Sequence, residues 1–490
     1  MAAQQRHLIN LLLEMVAQQQ RDGSSKRRPD LKRRQLQTAR VQRCTCFIAA
    51  AAANRAAIRG SLRQHREAGN NNGAAYTAAS QIYSEPEFLK QVTSGALSKS
   101  WGKPNVFKHD RSPMFGNGLV MAEGDDWAHH RHIIVPAFSM KNLNGMQSLM
   151  VETTKNMLDE WKKLMDMEKH EIDVEKYITK NAAEIIAKAS FGISQDDSKK
   201  VFEKLQAMQT MLFKSNRLVG VPFSKLLHLK KSQEAWKLGK EIDKLLLKII
   251  TSRKEKACMI NGSDDDQQDL LSILLEGNQT QKKKLTTREL VDECKTFFFG
   301  GHETTALALT WSLLLLALHP EWQQVLREEI MEVSHGEPLD STMLTKLTKM
   351  GWVFNETLRL YCPAPNAQRQ AREDIKVGDT FIPKGTNMWI DIVAMHHDKA
   401  LWGDDVHEFK PERFMESSHG GCMHRMGFMP FGFGGRLCVG RNLSITEYKI
   451  VLSLILQKFS FSISNSYLHS PTIMLTLKPS HGVPLIVHPI

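Results

Sequence analysis

Cysteines are few in this sequence, and long apolar runs are absent. The 490-residue chain has seven cysteines, scattered without a repeated spacing. Because an odd number of isolated cysteines does not build a disulfide framework, a reducing, cytosol-facing compartment is expected rather than secretion. No apolar run reaches the ~18 residues that a membrane-spanning helix needs, so the sequence alone predicts no transmembrane helix.

Acidic residues are scarce in the N-terminal segment. The net charge is +12, and much of this excess lies in the first 70 residues. A basic balance fits nucleic acid, anionic lipid or an acidic protein partner. Because the positive charge is concentrated in one segment, it is not evidence of a binding surface on the folded domain. No nucleic-acid partner is therefore predicted. Residues 1–67 are rich in Arg, Gln and Ala, a composition that overlaps with organellar transit peptides; a solvated or disordered basic tail is the simpler interpretation.

A folded domain is predicted from about Ile82 onwards. With 42% hydrophobic residues the chain can bury a large core. Helical periodicity dominates residues 146–250, and a long helix is predicted from Thr286, where Glu289 completes a capping box, to about Leu318. Short strands follow late in the chain. These patterns predict a predominantly α-helical α+β fold, with residues 1–81 as an atypical basic, Ala/Arg-rich and poorly packed segment and 82–490 as the domain.

The middle of the long helix has an unusual composition. Gly300 and Gly301 interrupt an apolar span, although each glycine costs roughly 1 kcal/mol relative to alanine. Glu303 and Thr304 follow directly, and a carboxylate in a buried helix needs a partner, water or a function. Two interpretations remain open: the polar residues satisfy local backbone groups, or they form a notch in which a small molecule lies beside an acid and an alcohol that relay protons.

An E-x-x-R pair and a later arginine form a second candidate group. Glu356 and Arg359 are three residues apart on one predicted helix face, so they can pair. Such a pair usually lies on the surface. Arg413, in the turn-rich "FKPERFM", is the third candidate, since a buried glutamate between two arginines would act as a structural lock.

A glycine-rich loop carries the most informative cysteine. In "FGFGGRLCVG" the glycines permit a tight turn and close contact with a flat ligand, and an apolar helix follows Cys438. The positive end of that helix favours a thiolate, which is the form that binds iron. Arg436 can reach an anionic group at the edge of the ligand. An inert buried cysteine is the alternative for any isolated residue.

The loop resembles the haem-binding loop of the cytochrome P450 monooxygenases. Its pattern F-x-x-G-x-R-x-C-x-G is satisfied by Phe431, Gly434, Arg436, Cys438 and Gly440. Other motifs follow in the order of that family: "WAHHR" with Trp127 and Arg131, "GGHET" at 300–304, "ETLR" at 356–359 and "PERF" at 411–414.

The resemblance implies a role for each of these residues within a cytochrome P450 fold with a long central helix and small β-sheets. Cys438 would be the thiolate ligand of the iron in haem b (iron protoporphyrin IX), with Phe431, Gly434 and Gly440 shaping the loop around it. Trp127, Arg131, Arg369 and Arg436 would hold the haem propionates. Glu303 and Thr304 would deliver protons to bound O2, for which Gly300 and Gly301 would make room. Glu356, Arg359 and Arg413 would form the structural triad.

The implied reaction inserts one oxygen atom from O2 into a C–H bond of a small apolar molecule. Electrons would come from NADPH through NADPH–cytochrome P450 reductase, docked on a basic face. Two segments, "GDDWAHHRHIIVPAF" and "NMWIDIVAMHHDKALWGDDVHEFKPERF", are similar to plant members of the clan that includes cytokinin hydroxylases. An isoprenoid, hormone-like or fatty-acid-like substrate is therefore expected, in a pocket lined by parts of 105–125, 208–222, 297–301 and 366–368.

The N-terminal segment departs from the family. Residues 1–81 lack the anchor helix, the proline-rich hinge and the first strands that microsomal members carry. Family resemblance implies membrane association on the cytosolic face of the endoplasmic reticulum, while a soluble or organellar location is the alternative. Alternative functions are a haem-thiolate isomerase or dehydratase and a non-catalytic haem-binding protein. Two histidine groups, 129–132 and 396–397, lack zinc-like spacing and are expected to be structural or surface residues.

Overall fold

The long helix that the sequence predicts is the centre of the fold. A computed structural model describes residues 80–93, 95–191, 200–201, 203–208, 211, 229–259, 269–279 and 284–490. Residues 1–79, which make up almost all of the segment expected to pack poorly, lie outside this range, as does most of the predicted pocket segment 208–222.

The described residues form mainly helices. The α-helices are α1 (Pro86–Thr93), α2 (Asn105–Asp110), α3 (Ser112–Phe115), α4 (Gly124–Ile134), α5 (Met140–Gly145), α6 (Gln147–Asp166), α7 (Val174–Phe191), α8 (Leu229–Met259), α9 (Leu270–Gln279), α10 (Thr287–Leu318), α11 (Pro320–Ser334), α12 (Ser341–Lys346), α13 (Thr348–Leu360), α14 (Ile392–His396), α15 (Lys399–Trp402) and α16 (Arg441–Lys458). Short 3-10 turns include Val135–Phe138, Pro411–Phe414 and Gly434–Arg436. The helix-dominated α+β prediction is confirmed.

The limits of α10 follow from local chemistry. Thr286 accepts a hydrogen bond from the Glu289 N–H (3.2 Å), and the Glu289 carboxylate accepts one from the Thr286 N–H (2.7 Å), which is the predicted capping box. The helix ends before Pro320, which opens α11 at a position where its missing N–H costs nothing. Almost every residue in the second half of α10 is buried, so the helix runs through the core.

The strands form small sheets at the edge of the helical body. They are β1 (Ser80–Tyr83), β2 (Trp101–Gly102), β3 (Glu171–Asp173), β4 (Asn366–Ala371), β5 (Ile375–Val377), β6 (Thr380–Ile382), β7 (Asn387–Asp391), β8 (Phe459–Ile463), β9 (Pro471–Ile473), β10 (Leu477–Pro479) and β11 (Pro484–Pro489). In the described part of the chain the largest sheet has the order β1-β7-β4-β2, and β3-β11-β8 form another.

Strand β1 crosses the predicted domain boundary at residues 81 and 82. It pairs in parallel with β7, from Ser80 opposite Asn387 to Tyr83 opposite Ile390. The two residues on the N-terminal side of the boundary are therefore part of the sheet, and the expectation that residues 1–81 lack its first strands is wrong at Ser80 and Gln81. The prediction for the rest of that segment concerns residues outside the described range and stays a prediction. Across the described ranges, no helix combines the length and hydropathy needed to span a bilayer.

Candidate active site

A small part of α10 faces open space. Within the fully described stretch 290–316, only Gly300, Gly301 and Thr304 are not buried. A Cβ atom built on Gly300 would have no described atom within 4 Å, whereas one on Gly301 would lie 2.6 Å from the Ile186 side chain of α7. Gly300 thus borders a cavity, while Gly301 permits the close packing of α10 on α7. The motif predicts room for a ligand at both glycines, and the structure has open space at Gly300 but not at Gly301.

The alcohol and the acid of α10 have different hydrogen-bond partners. The Thr304 hydroxyl donates to the carbonyl of Gly300 at 2.8 Å, which leaves the hydroxyl oxygen able to accept a hydrogen bond. Glu303 is buried, and its Oε1 accepts a hydrogen bond at 3.0 Å from the hydroxyl of Thr476, between β9 and β10. Thr304 thus bonds to a local backbone group, as one interpretation of this stretch predicts, whereas Glu303 is bonded by a side chain from another segment.

The cysteine loop has the backbone that its glycines predict. Gly432 and Gly434 have φ of +70° and +63°, a region that side-chain-bearing residues rarely adopt. The N–H of Cys438 donates to the carbonyl of Phe431 at 3.0 Å, which closes the loop. Helix α16, the apolar helix predicted after Cys438, begins at Arg441 with Gly440 as its N-cap.

The Cys438 thiol lies deep in the protein and yet has an exposed surface, so it faces an internal cavity. Burial raises the pKa of this thiol, whereas the Gly440 N–H and the guanidinium groups of Arg131 and Arg441 act to lower it. The lowering effect predicted from the helix terminus is present but is smaller than the effect of burial. Coordination by a metal ion deprotonates such a thiol outright.

A partly buried side-chain contact joins α10 to α16, the helix that follows the cysteine loop. The hydroxyl of Thr305, next to Thr304, donates to the hydroxyl of Ser444 in the first turn of α16 at 3.0 Å. In the cysteine loop, the centroid of the Phe431 ring lies 6.1 Å from that of Phe354, which belongs to the main core cluster. One hydrogen bond therefore connects the helix with the glycine notch to the helix that follows Cys438.

Positive side chains gather beside the cysteine. The Arg131 guanidinium donates to the carbonyl of Leu437 at 2.8 Å, and the Arg436 guanidinium lies 4.2 Å from the Trp127 ring centroid and donates to the carbonyl of Ala122 at 3.0 Å. Helix α4 supplies Trp127 and Arg131 one turn apart, so both reach the same loop. The W-x-x-x-R residues and the loop arginine are thus brought together as predicted.

Two further cations complete this group. Arg369 of β4 repels Arg436, and both arginines repel Lys103. Burial and then Arg369 lower the pKa of Arg436 to about 10, and burial, Arg369 and Arg436 hold the pKa of Lys103 far below its ordinary value. Lys103 could not be predicted as a member of this group, because nothing in "WGKPN" distinguishes this lysine from a surface residue.

The chemistry of these residues fits a flat, dianionic, metal-bearing cofactor. Four cations in a partly buried group repel one another, with the Glu123 carboxylate as a nearby counter-charge, and two further carboxylates among them would relieve that repulsion. The deep thiol supplies a metal ligand, and Gly300 and Gly440 leave open space where a Cβ would otherwise project. Haem b has these properties, so the residues present fit it.

The predicted triad is assembled and buried. The Arg359 guanidinium donates two hydrogen bonds, of 2.7 and 2.8 Å, to the Glu356 carboxylate. The Arg413 guanidinium lies 3.5 Å from the same carboxylate. The Arg359 guanidinium also donates to the carbonyls of His396 (3.1 Å) and Val406 (2.6 Å). The pair is therefore not a surface ion pair; it fixes the segment that leads to the cysteine loop.

Three of the histidines in the two predicted groups, His130, His396 and His397, are buried in the part of the chain that the structure describes. His396 and His397 are buried, and burial followed by the charge of Arg359 lowers the pKa of each to about 3, so both are neutral. Among the residues that the structure describes, no group of three or more His, Cys, Asp or Glu side chains could hold a metal ion. His130 is buried against Glu293 of α10 (2.6 Å), a pairing that the sequence analysis did not anticipate.

By fold and site the chain is a haem-binding oxidoreductase. The family model described as Cytochrome P450 matches residues 75–483, and the chain belongs to this family. It is 40% identical to a cytokinin hydroxylase of Arabidopsis thaliana over 83% of this chain and 78% of the relative, and 38% identical to cytochrome P450 714C2 of Oryza sativa subsp. japonica over 82% and 77%. The crystal structure of the cytochrome P450DA heme domain has the same fold, with a TM-score of 0.72 at 23% identity over 84% of this chain and 87% of that one.

Family membership decides the class of activity. The protein is a monooxygenase that uses haem b, O2 and electrons derived from NADPH. This agrees with the function predicted from the motifs and favours it over the isomerase, dehydratase and non-catalytic alternatives.

Proposed function

We propose that this monooxygenase holds haem through Cys438 and the cationic group formed by Lys103, Arg131, Arg369 and Arg436. The observation that carries the proposal is the deep thiol with an exposed surface, beside the Arg131 guanidinium that donates to the carbonyl of the preceding residue, Leu437, at 2.8 Å. In this arrangement Cys438 is the iron ligand and the four cations, with the Trp127 ring packed on Arg436, neutralise the propionates. Bound haem supplies the activation of O2 and the insertion of one oxygen atom into a C–H bond, with the other atom leaving as water.

The α10 residues supply the protons in this proposal. The Thr304 hydroxyl gives its hydrogen to the Gly300 carbonyl, so its oxygen accepts a hydrogen bond from a group in the cavity. Glu303 is the adjacent acid and replaces the proton that is consumed. Gly300, without a side chain, keeps this side of the helix open.

The substrate is a small apolar molecule of isoprenoid, hormone-like or fatty-acid-like character. Two Arabidopsis relatives, 40% and 39% identical, are named cytokinin hydroxylase, which makes a cytokinin the first compound to test. The Phe115 and Phe299 rings meet edge to face at 5.0 Å between α3 and α10, and Phe299 directly precedes Gly300, so the surroundings of the glycine notch include apolar side chains.

The electron donor is a NADPH–cytochrome P450 reductase, and the enzyme works at the cytosolic face of the endoplasmic reticulum membrane. Both parts of this proposal rest on the plant relatives of the chain. Fractionation of cells that express the full chain, followed by reconstitution with purified reductase, tests them together.

A spectroscopic experiment tests the assignment of the haem ligand. The reduced protein with carbon monoxide is expected to show the red-shifted Soret band of thiolate ligation, and Cys438→Ser is expected to lose it. Cys422→Ser, a change at another free, partly buried cysteine, is the matched control and should keep the band. A Cys438→Ser protein that retains the band would refute the proposal.

A binding experiment tests the substrate class. Isopentenyladenine, a cytokinin with an isoprenoid side chain, and lauric acid are titrated separately into the oxidised protein while the Soret band is recorded. A shift with isopentenyladenine followed by a hydroxylated product in the presence of NADPH and reductase supports the hormone-like class. A shift and product with lauric acid alone would assign the fatty-acid-like class instead.

A further inference from the structure

Thr476 makes a buried contact with the acid of α10. It lies in the turn between β9 and β10, is only 4% exposed, and its hydroxyl donates to Glu303 Oε1 at 3.0 Å. Glu303 itself is 8% exposed. A hydroxyl that donates to a buried carboxylate makes a charge-assisted hydrogen bond, which is stronger than a neutral one.

The backbone around Thr476 is fixed to the helix that carries Glu303. The indole N–H of Trp311, two turns further along α10, donates to the carbonyl of Leu477 at 3.0 Å. The N–H of Leu477 donates to the carbonyl of Pro363 at 3.1 Å, and the Met474 N–H donates to the carbonyl of Thr476 at 3.2 Å. The threonine hydroxyl is therefore held at a defined place relative to α10.

A carboxylate that transfers protons must have a defined orientation. Glutamate has three side-chain torsions, and a hydrogen bond from a fixed donor selects among their rotamers. Thr304 cannot do this for Glu303, because its own hydroxyl hydrogen is used by the Gly300 carbonyl at 2.8 Å. Thr476 meets the requirement from outside α10.

We infer that Thr476 is a positioning residue for Glu303: its hydroxyl holds the carboxylate in the orientation from which Glu303 supplies protons to the cavity. This inference rests on the proposed function of Glu303. Thr476 itself transfers no proton to substrate or cofactor and acts only through the glutamate.

Two substitutions separate the hydroxyl from the shape of the side chain. Thr476→Val keeps the branched shape and removes the donor, while Thr476→Ser keeps the donor. With isopentenyladenine, NADPH and reductase, Thr476→Val is expected to lower the product formed per NADPH several-fold and to raise the solvent isotope effect. Its binding shift and carbon monoxide band should remain unchanged, and Thr476→Ser should recover most of the coupling. If isopentenyladenine gives no shift, lauric acid is the probe.

A measurement without turnover tests the contact itself. Urea unfolding of the wild type, Thr476→Val, Glu303→Gln and the double variant forms a thermodynamic cycle. The two single effects are expected to be non-additive, because each substitution removes or weakens the same hydrogen bond. Additive effects would show that the hydroxyl and the carboxylate do not interact, and the inference would be overturned.

Glu303→Gln distinguishes a failure of the proton-supplying role of Glu303 from a failure of the positioning role of Thr476. If this variant keeps full coupling of NADPH to product, the proton-supplying role proposed for Glu303 fails, and the inference fails with it. If Glu303→Gln uncouples the enzyme while Thr476→Val does not, only the inference is overturned. If both uncouple it and the double variant is no worse than Glu303→Gln, the positioning role is supported.

Discussion

At the scale of single residues, the neighbouring Gly300 and Gly301 should respond in opposite ways to substitution by alanine. A methyl group on Gly301 would lie 2.6 Å from two atoms of Ile186, so Gly301→Ala should destabilise the fold by about 1–3 kcal/mol through overpacking. Gly300→Ala meets open space and should gain up to about 1 kcal/mol from helix propensity. Urea unfolding of the two variants measures the difference.

The control for this pair is a compensating change on α7. Ile186→Val removes Cδ1, one of the two atoms close to the added methyl, so it should partly restore the stability of Gly301→Ala. Equal stabilities of the two alanine variants would contradict the assignment of Gly301 to helix packing.

Glu175, in the first turn of α7, should make stability depend on pH. Burial, followed by the nearby Asp173, raises the pKa of its carboxyl to about 7, well above its value in the unfolded chain. The folded state therefore holds the proton more tightly, and stability should fall as the pH rises from about 4.5 to about 7. Glu175→Gln should raise the melting temperature at about pH 8 and have little effect near pH 4.5.

Glu152→Gln, a change of an exposed acid on α6, is the matched control for Glu175. Thermal unfolding at both pH values should show no such pH-dependent difference for this variant. If Glu175→Gln raised the melting temperature equally at the two pH values, the Glu175 carboxyl would not titrate between them.

At the scale of elements, a buried pair connects α4 to α10. His130 Nδ1 lies 2.6 Å from Glu293 Oε1, and both side chains are essentially inaccessible. Since α4 carries Trp127 and Arg131, the pair sets the position of the proposed propionate-binding helix relative to the glycine notch. His130→Ala leaves a buried carboxylate without this partner and should cost about 3–5 kcal/mol.

Haem content and urea unfolding test this connection. His130→Ala should lower both the stability and the haem retained after purification, whereas His132→Ala, on the exposed side of the same helix, should change neither. A His130→Ala protein with unchanged stability would show that the pair is not needed to hold α4.

The elements differ in how far the sequence predicts them. Helix α10 could be predicted to within one residue at its start because capping and proline signals are local. Phe431, Arg436 and Cys438 could be assigned to one loop for the same reason, since their spacing is local. The partners of Glu303 and Glu293 could not, because Thr476 and His130 lie more than 100 residues away, and no periodicity encodes such contacts.

At the scale of the whole molecule, the described domain begins within a sheet. Strand β1 pairs with β7 over four residues, and β7 in turn pairs with β4, which carries Arg369 of the cationic group. Loss of β1 would leave one edge of β7 without its partner strand. The sheet therefore relates the start of the domain to the proposed cofactor site.

Two truncated chains test this relation and the predicted packing of the N-terminal segment. A chain that begins at Ser80 keeps β1, whereas one that begins at Ser84 lacks it. Because the sequence predicts that residues 1–81 pack poorly, the first chain should match the full protein in haem content and melting temperature. The second should lose both, since the four ladder positions from Ser80 to Tyr83 are gone. If the chain that begins at Ser80 is also unstable, the segment before it contributes to the fold and the prediction of poor packing is wrong.

If both truncated chains match the full protein, β1 contributes nothing measurable to stability or haem content, and the sheet holds Arg369 in place through β7 and β4 alone.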